Sequence, residues 1–427
     1  MSDNLPLQGE LLPQDVPPPP PPPPNWAMLA HEAGRVFTPS APVDEWELFA
    51  GRNAEIHRVL DVVSQSGQHA IIFGERGVGK TSLANVLHEF LAQFRSEQII
   101  APRINCDGED SFDSVWRKAF DQIELVQTTP TPGFESQATD TAYNPADLIH
   151  SKNITPDSVR RILTIMARDL LTILIFDEFD RLQEGPRRAF ADMIKSLSDH
   201  AVYSTIVLVG VGDTVDQLIE DHQSVARSLV QIQMTRMSQA EIASILDTGL
   251  ARLEMSATHN AKQQVVLLAK GLPHYAHLIA LHATRAALGA KSLVMNEQHV
   301  EAAIEQALQN AQQSIRSAYH RATTSPRKDN LFADVLLACA LADVDELGTF
   351  AALDVRDPMQ RITKKDYGIS SFAQHLRDFS DRKRGQVLIK SGEKRRFRYR
   401  FTDPLLQPFV IMMGVTSRRL PADYLAA

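Results

Sequence analysis

One octapeptide constrains this chain more than anything else in it: GERGVGKT at residues 74–81. It follows the apolar run 70–73, and Leu83, Val86, Leu87, Phe90, Leu91 and Phe94 recur after it at helical spacing. A glycine-rich turn is therefore expected between a buried strand and a helix. Small residues at such a turn let backbone amides close around phosphate oxygens at a helix N-terminus. On this reading Gly74, Glu75, Arg76, Gly77, Val78, Gly79, Lys80, Thr81 and Ser82 surround the phosphates of a nucleotide. Lys80 is expected to reach the β- and γ-phosphates, and the Thr81 hydroxyl to ligate Mg²⁺.

The surrounding pattern is α/β. Ile56, Val59, Leu60 and Val63 mark a helix face before the turn, and further buried-strand runs occupy 99–105, 171–176, 206–211 and 229–234. Helical stretches between them predict a parallel sheet covered on both faces. Thr155 and Pro156 open one such helix, with Val159, Ile162, Leu163 and Met166 as its apolar face. The run ILIFDEFD at 173–180 places Asp177 and Glu178 at the carboxyl end of a buried strand, where ligands sit in open α/β sheets. Asp177 is suited to the Mg²⁺ shell and Glu178 to polarising an attacking water, while Asp180 reads as structural. Between 126 and 153 the chain is polar and rich in Thr, Pro and Ser, and a surface insertion is expected there.

After residue 234 strand patterns give way to helices. Ser238 and Glu241 have the spacing of a capping box, and amphipathic helices are expected to run to about residue 322 as a separate unit. A third unit, 325–415, combines helices near 331–341, 359–366 and 371–379 with a hairpin over 386–401 around Gly392. Helices followed by a basic hairpin suggest a winged helix. The expected organisation is a tail over 1–25, a nucleotide-binding α/β unit over 26–235, a helical lid over 236–322, the winged helix over 325–415 and a C-terminal tail over 416–427.

From 382 to 400 the chain carries Arg382, Lys383, Arg384, Lys390, Lys394, Arg395, Arg396, Arg398 and Arg400 against the single acid Glu393. That local excess is enough to neutralise several phosphates of duplex DNA. Phe397, Tyr399 and Phe401 alternate with Arg396, Arg398 and Arg400, as in a strand with one core face and one basic face. The preceding segment 371–377 reads as the helix that enters a groove, with Gln374, His375 and Arg377 as contacts. Arg377, Lys394, Arg395, Arg396 and Arg398 are the expected nucleic-acid residues. A formal net charge of -8 over 427 residues limits any such contact to one region. Two distant cysteines, Cys106 and Cys339, make neither a disulfide framework nor a metal cluster, and no long apolar run suggests a membrane span, so a cytoplasmic protein is expected. The proline run 17–24 reads as an extended spacer, or as a docking site for a partner protein that binds such peptides.

The phosphate loop, the acidic strand end and the following helical unit together resemble the AAA+ superfamily, and within it the origin-recognition (Orc1/Cdc6-like) branch, over residues 45–415. The resemblance implies a P-loop fold that binds ATP with Mg²⁺. It implies that Leu48, Phe49, Ala50, Gly51 and Arg52, followed by Asn53, Ala54 and Glu55, cradle adenine. His222 to Arg227 is similar to the box carrying an arginine finger into a neighbouring subunit, which implies self-association; Arg236 is the next candidate. Asp213 stands where relatives usually carry a neutral polar residue facing the γ-phosphate, and His274, in Gly271-Leu-Pro-His274, stands where many carry a sensor arginine. Residues 401–410 are similar to the end of the C-terminal unit in bacterial relatives. The function implied is an ATP-driven, DNA-associated switch. Two alternatives stay open: a signalling or defence ATPase whose winged helix binds a protein, and a transposition-type regulator that assembles on DNA.

Overall fold

Strands without a polar face need cover on both sides, and that requirement organises the first half of the molecule. The computed structural model describes residues 24–43, 48–94, 99–123, 125–130, 138–148, 153–212, 214–215, 218–219, 225, 227–327, 330–345, 348–393, 396–420 and 422–425. Helices α1 (Trp26–Val36) and α2 (Asn53–Val63) precede β1 (His69–Gly74) and α3 (Lys80–Phe94). Then come β2 (Ile99–Ile100), β3 (Arg103–Asn105), α4 (Phe112–Phe120), β4 (Leu125–Pro130), β5 (Ala138–Tyr143), α5 (Pro156–Met166), β6 (Leu171–Asp177), α6 (Glu184–Asp199), β7 (Ser204–Val211) and β8 (Leu229–Gln233). The main sheet is parallel, in the order β2-β6-β7-β1-β8 with β3 also paired to β6.

Side chains of β1 alternate between two cores. Ala70 and Ile72 join the cluster that contains α2 and α3; Ile71 and Phe73 join the one built from α4, α5 and α6. This is the period-2 consequence of a pleated strand buried on both faces. The second core is aromatic, with Trp116 and Phe190 both packed on Phe176 of β6. The expected helix start at Thr155 is realised as a reciprocal cap with Ser158 and Pro156 in the first turn. Such caps contribute about 1 kcal/mol each. The polar insertion forms a hairpin, β4 pairing antiparallel with β5 from Leu125↔Tyr143 to Pro130↔Ala138. Its β-branched Thr128, Thr129, Thr139 and Thr141 favour extended backbone, a preference that its polarity obscures.

The second half is α7 (Gln239–Arg252), β9 (Ser256–Ala257), α8 (His259–Ala269), α9 (Pro273–Gly289), β10 (Val294–Met295), α10 (Glu297–Gln309), α11 (Gln313–Thr323), α12 (Phe332–Leu341), β11 (Phe350–Ala351), α13 (Arg356–Thr363), α14 (Ile369–Phe379), β12 (Leu388–Ser391), β13 (Arg398–Phe401) and α15 (Leu406–Thr416). Ser238 caps α7 in a box with Glu241. Three short strands near the C-terminus pair antiparallel in the order β11-β13-β12.

Two features depart from the expected organisation. Helix α1, grouped in the sequence with the α/β unit, packs on α9 of the helical region. The adjoining Phe37 is fully buried and lies over Gly249 of α7, where an added Cβ would come within 2.3 Å of its ring. Nor are the helical and C-terminal regions separate cores: one apolar cluster runs from Val59 and Ile72 through Leu268 and Ile279 to Leu336, Leu376 and Phe409. The cause lies in α15, whose Phe409, Val410, Ile411 and Met412 are all buried. A helix apolar all round needs cover on every side, and α8, α10, α11 and α12 supply it.

Candidate functional site

The turn between β1 and α3 takes the shape its glycines permit. Gly74, Gly77 and Gly79 have φ of 153°, 86° and 98°. At Gly74 a Cβ would meet the Met234 carbonyl at 2.2 Å, so no other residue fits this close passage beside the end of β8. Lys80, 8% exposed, donates from Nζ to the carbonyls of Gly74 (3.0 Å) and Glu75 (2.8 Å). Burial lowers its ammonium to about 8, while Asp180, Asp177 and Glu75 pull it back up. A desolvated cation at a helix N-terminus is a strong anion receptor.

Asp177, at the end of β6, is buried and held through both oxygens. Oδ1 accepts from the Glu178 amide (2.8 Å) and Oδ2 from Arg103 of β3 (2.7 Å). Glu178 follows with φ +55°, in the left-handed region that costs a non-glycine residue roughly 1 kcal/mol or more. Its half-exposed carboxylate pairs with Arg181 at 2.8 Å, a screened surface pair worth little energetically. Asp180 accepts from the Val211 amide at the tip of β7 (2.8 Å), which ties two strand ends together.

Of these groups, Lys80, Asp177, Glu178 and Asp180 line one cavity of about 360 Å³. Arg52, Gly77, Val78, Gly79, Lys80, Thr81, Ser82, Asp177 and Glu178 are among the residues of its lining, as are the apolar Val43, Leu48, Phe49, Ala50, Met237 and Ile245. Among the described residues no three His, Cys, Asp or Glu side chains converge to hold a metal. A divalent ion at Asp177 and Thr81 would thus depend on ligand oxygens for its shell, the usual arrangement for Mg²⁺ on phosphates. The buried ammonium, the glycine cradle and the adjoining carboxylate fit a nucleotide triphosphate with that ion.

Several residues are placed differently from expectation. Arg52, expected beside the base, lines the cavity; it is 2% exposed with φ +62° and also acts as a brace. Its guanidinium pairs with Glu55 (3.0 Å) and donates to the carbonyls of Val78 (3.0 Å) and Thr235 (2.5 Å), joining the phosphate loop to the segment after β8. His274 lines the cavity, but its Nδ1 bonds the Pro39 carbonyl at 2.7 Å, leaving Nε2 as the nitrogen able to address it. Burial holds the His274 pKa down, so the imidazole is not a fixed cation. Arg236 bonds Glu75 and Gln407 internally and is not free for a neighbouring subunit.

Arg227 lies at the opposite end of the strands from the phosphate loop, because it precedes Leu229, which pairs with His69 at the start of β1. It is exposed, beside Lys195, Ser198 and Asp199. Asp213, Lys394, Arg395, most of the His222 box and the proline run lie outside the described residues. In the C-terminal region Arg377 and Arg396 are exposed. Arg398, expected to meet DNA, turns instead to Asp345 (2.9 Å) and to the Thr349 hydroxyl and carbonyl (2.5 and 2.8 Å). It fastens β13 to the turn before β11 because that turn supplies an acid within reach. Lys390 lies over the Phe397 ring at 3.5 Å.

Three contributors carry no local signal. Arg103 meets Asp177 from 74 positions away and Glu75 meets Arg236 from 161. The third is the strap 38–43 across the cavity: Thr38 donates to His277 Nδ1 (3.3 Å), Pro39 bonds His274, and Val43 donates to Ser82 Oγ (3.1 Å).

Residues 48–208 match the family described as the AAA ATPase domain. No curated protein sequence matches the chain. Similar solved structures include a Walker-type ATPase of Pyrococcus abyssi, at 14% identity and TM-score 0.49, covering 88% of this chain and 99% of the other. The ORC2 protein of Aeropyrum pernix, solved as ADPNP–ADP complexes, gives 13%, 0.48, 90% and 98%. Cdc6p from Pyrobaculum aerophilum gives 14%, 0.45, 91% and 99%.

Proposed function

We propose that this P-loop α/β chain, whose residues 48–208 match the AAA ATPase domain, is an Orc1/Cdc6-like AAA+ ATPase that hydrolyses ATP to switch between conformations or assemblies, and that it associates with duplex DNA through its C-terminal unit. The observation that carries the ATPase reading is the convergence of buried Lys80, the glycine cradle and Asp177 on one cavity that also has apolar lining. The amides of 77–81 and the Lys80 ammonium would hold the phosphates, and Thr81 and Asp177 the shell of Mg²⁺. Bound Mg²⁺ neutralises charge on the transferred phosphoryl group. Glu178 reaches the same cavity from a strained, half-exposed position and would orient the attacking water and take its proton. Asp177, braced by Arg103, keeps lone pairs for the metal shell.

Arg227, exposed at the end of the strands opposite the phosphate loop, suits a finger reaching a second copy better than any role in its own site. The three-stranded sheet beside α12, α13 and α14 supports a winged-helix reading of the C-terminal unit, with Arg377 and Arg396 as exposed cations toward phosphate. The test is steady-state ATP turnover with and without DNA. Glu178→Gln is expected to lower turnover roughly 10²-fold or more with nucleotide binding retained; equal rates for wild type and variant would remove Glu178 from the chemistry.

A further inference from the structure

The C-terminal unit touches the phosphate loop itself. Glu75, the residue after Gly74, uses both ends. Its carbonyl accepts from Lys80 Nζ, and its carboxylate takes a two-pronged contact from Arg236, Nε to Oε1 at 2.5 Å and Nη2 to Oε2 at 3.2 Å. Arg236 extends Nη1 to the Lys270 carbonyl (3.4 Å) and to Oε1 of Gln407 (2.5 Å). Gln407, in the first turn of α15 and 1% exposed, donates onward to the Ala340 carbonyl of α12 (2.8 Å). Around this series the same turn closes on the loop. Leu405 lies 3.1 Å from where a Cβ on Gly77 would stand, Asp403 pairs with Arg76 at 3.8 Å, and the Leu405 carbonyl accepts from Tyr275 Oη at 2.7 Å.

We infer that Arg236 and Gln407 are positioning residues for the phosphate loop, so that docking of the C-terminal unit and nucleotide binding reinforce each other. This rests on the nucleotide reading above. The physical reason is charge and geometry. A carboxylate next to a phosphate site repels the ligand unless a cation holds it, and Arg236 does so only while its fork is aimed, which Gln407 and the Lys270 carbonyl secure. Neither Arg236 nor Gln407 lines the nucleotide cavity, so their influence passes through Glu75. Coupling of this kind is reciprocal: whatever docking adds to nucleotide affinity, nucleotide adds to docking.

The experiment measures ATP affinity of the full chain and amide exchange over 403–412 with and without ATP. Gln407→Leu, which keeps bulk and loses both amide contacts, is expected to weaken ATP binding on the order of fivefold or more. Arg236→Lys, keeping charge without the fork, should fall between it and wild type. ATP should slow exchange over 403–412 in the wild type and have less effect in Gln407→Leu. Folded variants that bind ATP as the wild type does, with exchange over 403–412 insensitive to ATP, overturn the coupling alone. A wild-type chain that binds no ATP overturns the nucleotide reading and the coupling with it.

Discussion

The phosphate loop and the C-terminal hairpin both carry clustered charge, and they treat it in opposite ways. At the loop every named charge is held. Lys80 is buried against two carbonyls, Asp177 is pinned by Arg103, and Glu75 is clamped by Arg236. At the hairpin Arg398 is taken by Asp345 and Thr349, and Arg377 and Arg396 are left exposed. Charge in a low-dielectric site is worth far more than charge in water. The loop therefore sets strong, geometry-dependent binding, and the hairpin offers a salt-sensitive surface.

The largest expected effect breaks the loop's side of this comparison. Lys80→Ala removes the buried ammonium, and a charge-assisted contact of this kind is worth enough that ATP affinity should fall roughly a hundredfold, as read by titration with a fluorescent nucleotide. Affinity within threefold of wild type would mean the phosphates lie elsewhere.

A second effect, read on stability rather than on binding, concerns acid. His69, fully buried in β1, accepts from the Ile206 amide through Nδ1, and burial lowers its pKa from 6.5 to about 3. His277, which accepts the strap's Thr38 amide, is lowered by burial to about 4. The unfolded chain takes up protons near 6.5 that the folded chain refuses until about 4 and about 3. Stability is therefore fully present above pH ~6.5 and is lost progressively as pH falls below it, by about 1.4 kcal/mol per pH unit for each group once well below that value. Thermal melts from pH 7 to 4 should show this slope, and His69→Asn, which keeps an acceptor, should flatten part of it. An unchanged slope in the variant would assign the acid sensitivity elsewhere.

The smallest effect sharpens the hairpin's side. Arg396→Ala should reduce the salt dependence of duplex DNA binding by about one unit of slope. Arg398→Ala should leave that slope alone and lower stability by about 1 kcal/mol or less. The reverse pattern would put Arg398 on the nucleic acid and Arg396 in solvent.

What could be read in the chain and what could not divide along sequence distance. The strand at 171–177, the cap at Thr155 and the capping box at Ser238 are local, since periodicity and turn chemistry act within a few residues. The positions of Lys80 and Asp177 were readable because their signals are local: Lys80 closes a glycine-rich turn after an apolar run, and Asp177 ends one. Arg52 lines the cavity, but its bracing role was hidden in the sequence because it depends on Glu55, Val78 and Thr235 together. Arg398 was misjudged because alternation predicts which face a residue takes, not which acid waits there.

The amino-acid order by itself determined a parallel α/β layer with a glycine turn and an acidic strand end, because hydrophobic period and glycine freedom are properties of short segments. Only the tertiary structure decided that α1 belongs to the helical region, that α15 knits two helical regions into one core, and that Glu75 answers to Arg236 and Gln407. Those outcomes depend on which surfaces meet, and an apolar face or a lone charge does not specify its partner until the chain has closed around it.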